Sequence, residues 1–117
     1  MDIKIRESGE IRIIGFAGRL DTRTFPFAES AINKLLQNQH IKIIINLAET
    51  EWISSSGLRV LLVTAKKVSA IKGKLIICQP NEVVKETLDI SGFSTILNVT
   101  NSEDEALSEF QTGIEHG

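Results

Sequence analysis

Two short aliphatic runs constrain this chain most: Ile41-Lys42-Ile43-Ile44-Ile45-Asn46-Leu47 and Lys74-Leu75-Ile76-Ile77-Cys78. Runs this rich in β-branched residues suit strands covered on both faces, as in parallel sheets. Between them lies an amphipathic stretch. Leu58, Leu61, Leu62, Ala65, Val68 and Ser69 recur at helical spacing after Gly57, and Gly73 is expected to close that helix. A strand, a helix and a second strand in that order form a right-handed crossover with parallel strands.

The rest of the chain extends this pattern. Ile3 and Ile5 alternate with Lys4 and Arg6, which predicts a half-buried strand. Ser8-Gly9 is a turn, and Ile11, Ile13, Ile14 and Phe16 continue as an antiparallel partner. Thr24–Pro26 carries helix-start chemistry, with Ala28, Ala31, Ile32, Leu35 and Leu36 on one face. Ala48–Ile53 reads as a loop. Pro80-Asn81 opens a third helix, with Val83, Val84, Thr87 and Leu88 inward and Gly92 at its end. Ile96, Leu97 and Val99 predict a short strand. Ser102 and Glu105 form a capping box for a last helix carrying Ala106, Leu107 and Phe110. The predicted order is β-β-α-β-α-β-α-β-α. That is an α/β fold, a single domain with a mixed, mostly parallel sheet of about five strands and four helices. The domain is expected to span residues 1–110, with a frayed tail over 111–117.

Composition narrows the function classes. The 117 residues carry 13 Lys and Arg against 15 Asp and Glu, a net charge of -2, which offers no electrostatic footprint for nucleic acid. One cysteine, Cys78, excludes an intrachain disulfide or a four-thiolate zinc site and reads as an inert core thiol. The apolar runs are too short for membrane insertion, and the N-terminus has no apolar signal core, so the expected compartment is the cytoplasm. There is no phosphate-binding glycine loop, no Gly-x-Ser-x-Gly elbow and no clustered metal ligands. His40 begins the strand whose far end leads to the serines, roughly 20 Å away at about 3.3 Å per residue. A serine nucleophile would thus lack its base. No cofactor is implied, and the chain is not expected to be an enzyme.

In a parallel sheet the loops at the C-terminal strand ends converge. They hold Gly18–Thr22, Ala48–Ser56 and Gln79–Asn81, so Asp21, Ser54, Ser55, Ser56 and Asn81 are expected as neighbours. Trp52-Ile53-Ser54-Ser55-Ser56-Gly57-Leu58 is the most informative stretch. One serine can cap the following helix, and a neighbour can accept a phosphate, which a helix N-terminus favours. Trp52 is expected to pack under this loop. Val60 and Val63 lie off the core stripe beside Arg59, Lys66 and Lys67, which predicts an exposed partner surface.

Three segments together resemble the STAS family of bacterial anti-sigma-factor antagonists. They are Gly18-Arg19-Leu20-Asp21, then Ile44-Ile45-Asn46-Leu47 with Trp52-Ile53-Ser54-Ser55-Ser56-Gly57-Leu58, and Lys85–Phe93. The resemblance covers about residues 3–110. It implies a protein-binding switch. Ser55 would be phosphorylated by a partner that is both serine kinase and anti-sigma factor, and a serine phosphatase would reverse the modification. Asp21, Ser56 and Gly57 would support the site. Ser54 stands where the family carries Asp, which leaves Ser54 as an alternative acceptor. The same family also supplies unphosphorylated subunits of stress-signalling complexes and of lipid-transport ABC ATPases, the alternative role.

Overall fold

The computed structural model describes residues 1–115, with side chains as far as Gln111. Of the expected tail over 111–117, residues 111–115 continue the last helix, and 116 and 117, with His116, lie outside the described residues. Strands β1 (Asp2–Ser8) and β2 (Ile11–Leu20) form an antiparallel hairpin. Its turn places Gly9 at φ +60°, a conformation glycine adopts without steric cost. After α1 (Phe25–Gln37) come β3 (Lys42–Asn46), β4 (Thr50–Ile53), α2 (Ser55–Ala70), β5 (Lys74–Cys78) and α3 (Glu82–Ile90). A 3-10 turn at Phe93–Thr95, the short β6 (Val99–Thr100) and α4 (Glu103–Glu115) complete the chain.

The sheet order is β1-β2-β3-β5-β6, with every pair after the first parallel. The expected architecture is thus present: α/β, mixed and mostly parallel, with four helices. It has six strands where about five were expected. The extra one, β4, occupies the predicted Ala48–Ile53 loop. β2 is ten residues long, and its first half, Ile11–Gly15, pairs with β3. Its far end, Gly18–Leu20, projects past β3 and is available to pair with β4. Four residues including Thr50 and Glu51 show no apolar alternation, so only this tertiary opportunity makes them a strand.

The pleat sorts the strand residues. Ile14, Ile45 and Ile77 lie side by side and join Phe16, Leu61, Ile32 and Leu88 under α1, α2 and α3. Ile13, Ile44 and Ile76 point to the opposite face and pack with Cys78, Ala106 and Phe110 under α4. The aliphatic runs are therefore buried on both faces. The edge strand differs from its expectation. Ile3 is partly buried, whereas Ile5 is 48% exposed, because β1 lies at the margin of the layer that α1 covers.

One helix end and one strand also depart in detail. Lys72, not Gly73, takes the left-handed conformation after α2, at φ +60°. Gly73 is required for a different reason: a Cβ there would lie 2.4 Å from the Ile41 carbonyl oxygen. The predicted strand at Ile96–Val99 shortens to Val99–Thr100. Ile96 belongs to the preceding turn and is 63% exposed, and only Leu97 turns inward.

Candidate functional site

The serine loop joins β4 to α2. Ser54 is the N-cap of α2, and its hydroxyl oxygen accepts from the Gly57 backbone N–H at 3.3 Å. Its own backbone N–H donates to the Leu20 carbonyl at 2.9 Å, which ties the loop to the end of β2. Ser or Asp serves this capping role about equally well. Ser54 therefore keeps the cap and lacks the charge of the family's aspartate. Ser55 is the first helical residue and is exposed. Among the described residues its hydroxyl has no hydrogen-bond partner. Ser56 is half-buried, and its hydroxyl lies 3.2 Å from that of Thr22. The three adjacent serines thus have three different positions, as a cap, a free hydroxyl and an inter-loop tie.

Gly57 brings the two loops into close contact. A Cβ at this position would lie 2.5 Å from the Leu20 carbonyl oxygen and 2.9 Å from the Ile53 and Leu20 side chains. Glycine alone lets α2 start directly against the end of β2.

Asp21 sits in the facing loop. Its carboxylate accepts from the backbone N–H groups of Arg23, at 3.0 Å, and Thr24, at 3.2 Å. Thr24 is the N-cap of α1 by backbone geometry but makes no side-chain cap bond. Its hydroxyl donates to the Arg19 carbonyl at 2.6 Å and accepts from the Asp21 N–H at 2.9 Å. Asp21 therefore shapes the entry to α1 one turn early. Its loop meets the serine loop through the Thr22–Ser56 contact. Asn81 caps α3, accepting from Val84 N–H at 2.7 Å, and donates to the Thr50 carbonyl at 2.9 Å. The expected convergence holds for Asp21 and the three serines. Asn81 reaches them indirectly, through β4.

On α2, Arg59, Lys66 and Lys67 are exposed and Val63 is half-buried. Val60 corrects the expectation of an exposed surface: it is 3% exposed and belongs to the core with Ala28 and Ile32. α1 packs alongside α2 and so buries a wider stripe of α2 than the sheet alone would. Between the two helices runs a groove of about 310 Å³ lined by Phe25, Glu29, Ser56, Arg59, Val60 and Val63. Farther along, Lys67 donates to Asn33 at 3.0 Å.

Trp52 also differs from its expectation. It does not pack under the loop but is 43% exposed on β4, in cross-strand register with Arg19. The register of an unpredicted strand produces that pairing, so no local pattern reports it. Thr22 was likewise not singled out, because its contact is with a residue 34 positions away.

On the α4 side of the rim, Asn46 donates to Gln79 at 2.9 Å and to Glu103 at 3.0 Å and accepts from Ala48 N–H at 2.8 Å. Glu103 also binds Arg6 through both guanidinium nitrogens. The Arg6 hydrogen bond, aided by Asn46 and the Arg6 charge, holds the Glu103 carboxyl below its usual value against the opposing effect of burial. Cys78 is fully buried, and burial foremost, with the nearby Glu103 charge, pushes its thiol up to about 12. It is protonated and unreactive at neutral pH. Among the described residues no group of His, Cys, Asp or Glu is arranged to hold a metal ion, and no helix is long and apolar enough to cross a membrane.

Comparison with known proteins places this geometry in context. The STAS domain family model matches residues 2–106. BtrV of Bordetella bronchiseptica is 37% identical over 73 residues, spanning 62% of this chain and 63% of that protein. The anti-sigma F factor antagonist of Paenibacillus polymyxa is 26% identical over 112 residues, covering 95% of this chain and 96% of its own. A solved structure from Thermotoga maritima superposes with a TM-score of 0.87 at 21% identity, over 92% of each chain. Bacillus SpoIIAA has been solved unphosphorylated, with a TM-score of 0.79 at 20% identity over 95% of this chain and 97% of that one. Its phosphorylated form gives 0.71 at 20% identity, over 93% and 99%. The fold, the serine rim and a family match running from β1 into α4 converge on one assignment: the chain belongs to the STAS domain family.

Proposed function

We propose that this chain is an anti-sigma-factor antagonist. It binds an anti-sigma factor that is also a serine kinase, frees the sigma factor for transcription, and is switched off by phosphorylation of Ser55. The observation that carries the reading is the exposed, unpartnered Ser55 hydroxyl at the first helical position of α2, between a capping serine and a tied one. The names of the full-length relatives and the two forms in which SpoIIAA has been solved support it. The docking surface is the rim with the outer edge of α2: Arg59, Val63, Lys66 and Lys67. Val60 supports this edge from beneath.

The chemistry resides in the partner. Ser55 Oγ attacks the γ-phosphorus of ATP bound to the kinase, its proton leaves to solvent or a kinase base, and ADP departs. The product carries about -1.5 to -2 charges on a surface that docking would desolvate. A loss of about 3 kcal/mol weakens binding more than a hundredfold. A serine phosphatase reverses the switch. Ser54, whose oxygen accepts from Gly57 N–H in the cap, is the alternative acceptor.

The test is incubation with ATP and a serine kinase of the anti-sigma-factor type, followed by mass spectrometric mapping. Phosphate is expected on Ser55 alone, and Ser55→Asp is expected to lose binding. Absence of phosphate from 54–56, together with undiminished binding by Ser55→Asp, overturns the reading.

A further inference from the structure

The chain has five arginines, and they divide by location. Arg6 is paired with Glu103. Arg12 donates to the Gly9 carbonyl at 3.0 Å and lies 3.6 Å from Glu7. Arg19, Arg23 and Arg59 are exposed, and among the described residues their guanidinium groups make no hydrogen bond or ion pair. Arg23 and Arg59 flank the serine rim, and Arg19 lies at the adjoining end of β2, on the sheet face opposite the buried Leu20 and Ile53. Arg59 is four residues after Ser55 on α2, the spacing at which helical side chains meet. Arg23 follows Thr22, the residue in contact with Ser56. Arg19 stands in register with the exposed Trp52, three residues before Ser55. The acids nearby are Asp21, held by its own loop, and Glu29 and Glu51 at the flanks. Arginine and tryptophan are the side chains most often found at the energetic centre of protein interfaces. The guanidinium fork fits carboxylate and phosphate oxygens in pairs.

We propose that Arg19, Arg23 and Arg59, with Trp52 as aromatic anchor, recognise an acidic face of the protein partner, and that phosphate on Ser55 closes this surface by drawing Arg23 and Arg59 onto itself. The inference rests on the function proposed above and gives the partner its chemistry. It also makes the phosphate an internal competitor for the arginines rather than only a repulsive charge. An anionic nucleic acid would be a different occupant for the same side chains. The net charge of -2 favours protein.

Two measurements decide it. In the first, a serine kinase of the anti-sigma-factor type is titrated into the unmodified protein while the fluorescence of Trp52, the single tryptophan, is followed. Binding is expected to shift the emission to the blue. Arg19→Gln, Arg23→Gln, Arg59→Gln and Trp52→Ala are each expected to weaken binding about tenfold, and added salt to weaken it further. In the second, phosphoserine is installed at position 55 during translation and titrated by phosphorus NMR. The second phosphate pKa is expected below the ordinary value of about 6, and Arg59→Gln and Arg23→Gln are expected to restore it. If the arginine and Trp52 variants bind the kinase as tightly as wild type while Ser55→Asp does not bind, the inference falls and the proposed function stands. An unshifted phosphate pKa overturns the competition. Equally tight, salt-sensitive binding of a single-stranded oligonucleotide overturns the choice of a protein partner. If wild type does not bind the kinase and takes no phosphate, the proposed function fails with the docking surface, and the phosphorus titration still judges the arginine–phosphate contact.

Discussion

The two faces of the sheet are closed in different ways. On one, α1, α2 and α3 lay a continuous aliphatic layer over Ile14, Phe16, Ile43, Ile45 and Ile77. On the other, α4 covers only Ile13, Ile44, Ile76 and Cys78 with Ala106 and Phe110. The smaller cover is reinforced by polar ties. Glu103 at its start joins Arg6 and Asn46, and Lys74 near its far end donates to the Glu109 carbonyl at 2.6 Å and lies 5.5 Å from the centre of the Phe110 ring. Apolar burial neither titrates nor is screened by salt, whereas ion pairs with exposed partners do and are. One face therefore sets global stability, and the other responds to solution conditions.

This contrast can be broken or sharpened by substitution. Ile45→Ala, under the three helices, should have the largest effect, a loss of about 2–5 kcal/mol in urea unfolding. Loss of less than 1 kcal/mol would mean that the first face is not the stabilising one. Asn46→Ala removes the residue that joins β3 to Gln79, Glu103 and Ala48 on the second face, and a loss of about 1–3 kcal/mol is expected. At the rim, Ser54→Ala should lose about 1 kcal/mol through the missing cap, while Ser55→Ala stays within about 0.5 kcal/mol. Equal losses would show that the two serines do not have separate roles. Glu103→Gln should have a small effect at neutral pH, about 0.2–1 kcal/mol, because Arg6 is 57% exposed. It carries a pH signature. A carboxyl held below its ordinary 4.5 contributes fully above that value and loses its contribution as pH falls through the lowered one. Wild type should therefore lose its advantage over Glu103→Gln below about pH 4.5, a window set by that lowered value. A stability gap that persists through acid unfolding would remove the electrostatic part of the contrast.

How much of this could be read beforehand follows the range of the interactions. The β-branched runs, a serine cap before α2 and the capping-box residues are local patterns. Ser102 does accept from Glu105 N–H at 3.1 Å, as that box requires. The parallel run of the strands followed because strand–helix–strand units cross over with one hand. The misses depend on distant neighbours. β4 exists because β2 outruns β3. Val60 is buried because a second helix lies beside its own, and a stripe drawn for contact with the sheet alone excludes it. Trp52 is exposed because the pleat of an unforeseen strand turns it outward. At the site, residue types and spacing were legible, but the separate roles of Ser54, Ser55 and Ser56 required coordinates.

The close approach at Gly57 has a mechanical consequence. With the Leu20 carbonyl filling the space where any side chain would begin, the two facing segments cannot slide past each other without separating the base of α2 from the sheet. The pair acts as a single stiff plate. Under the function proposed above, a phosphate on Ser55 would be carried like ink on a seal, and any large movement would have to come from the molecule pressed against it.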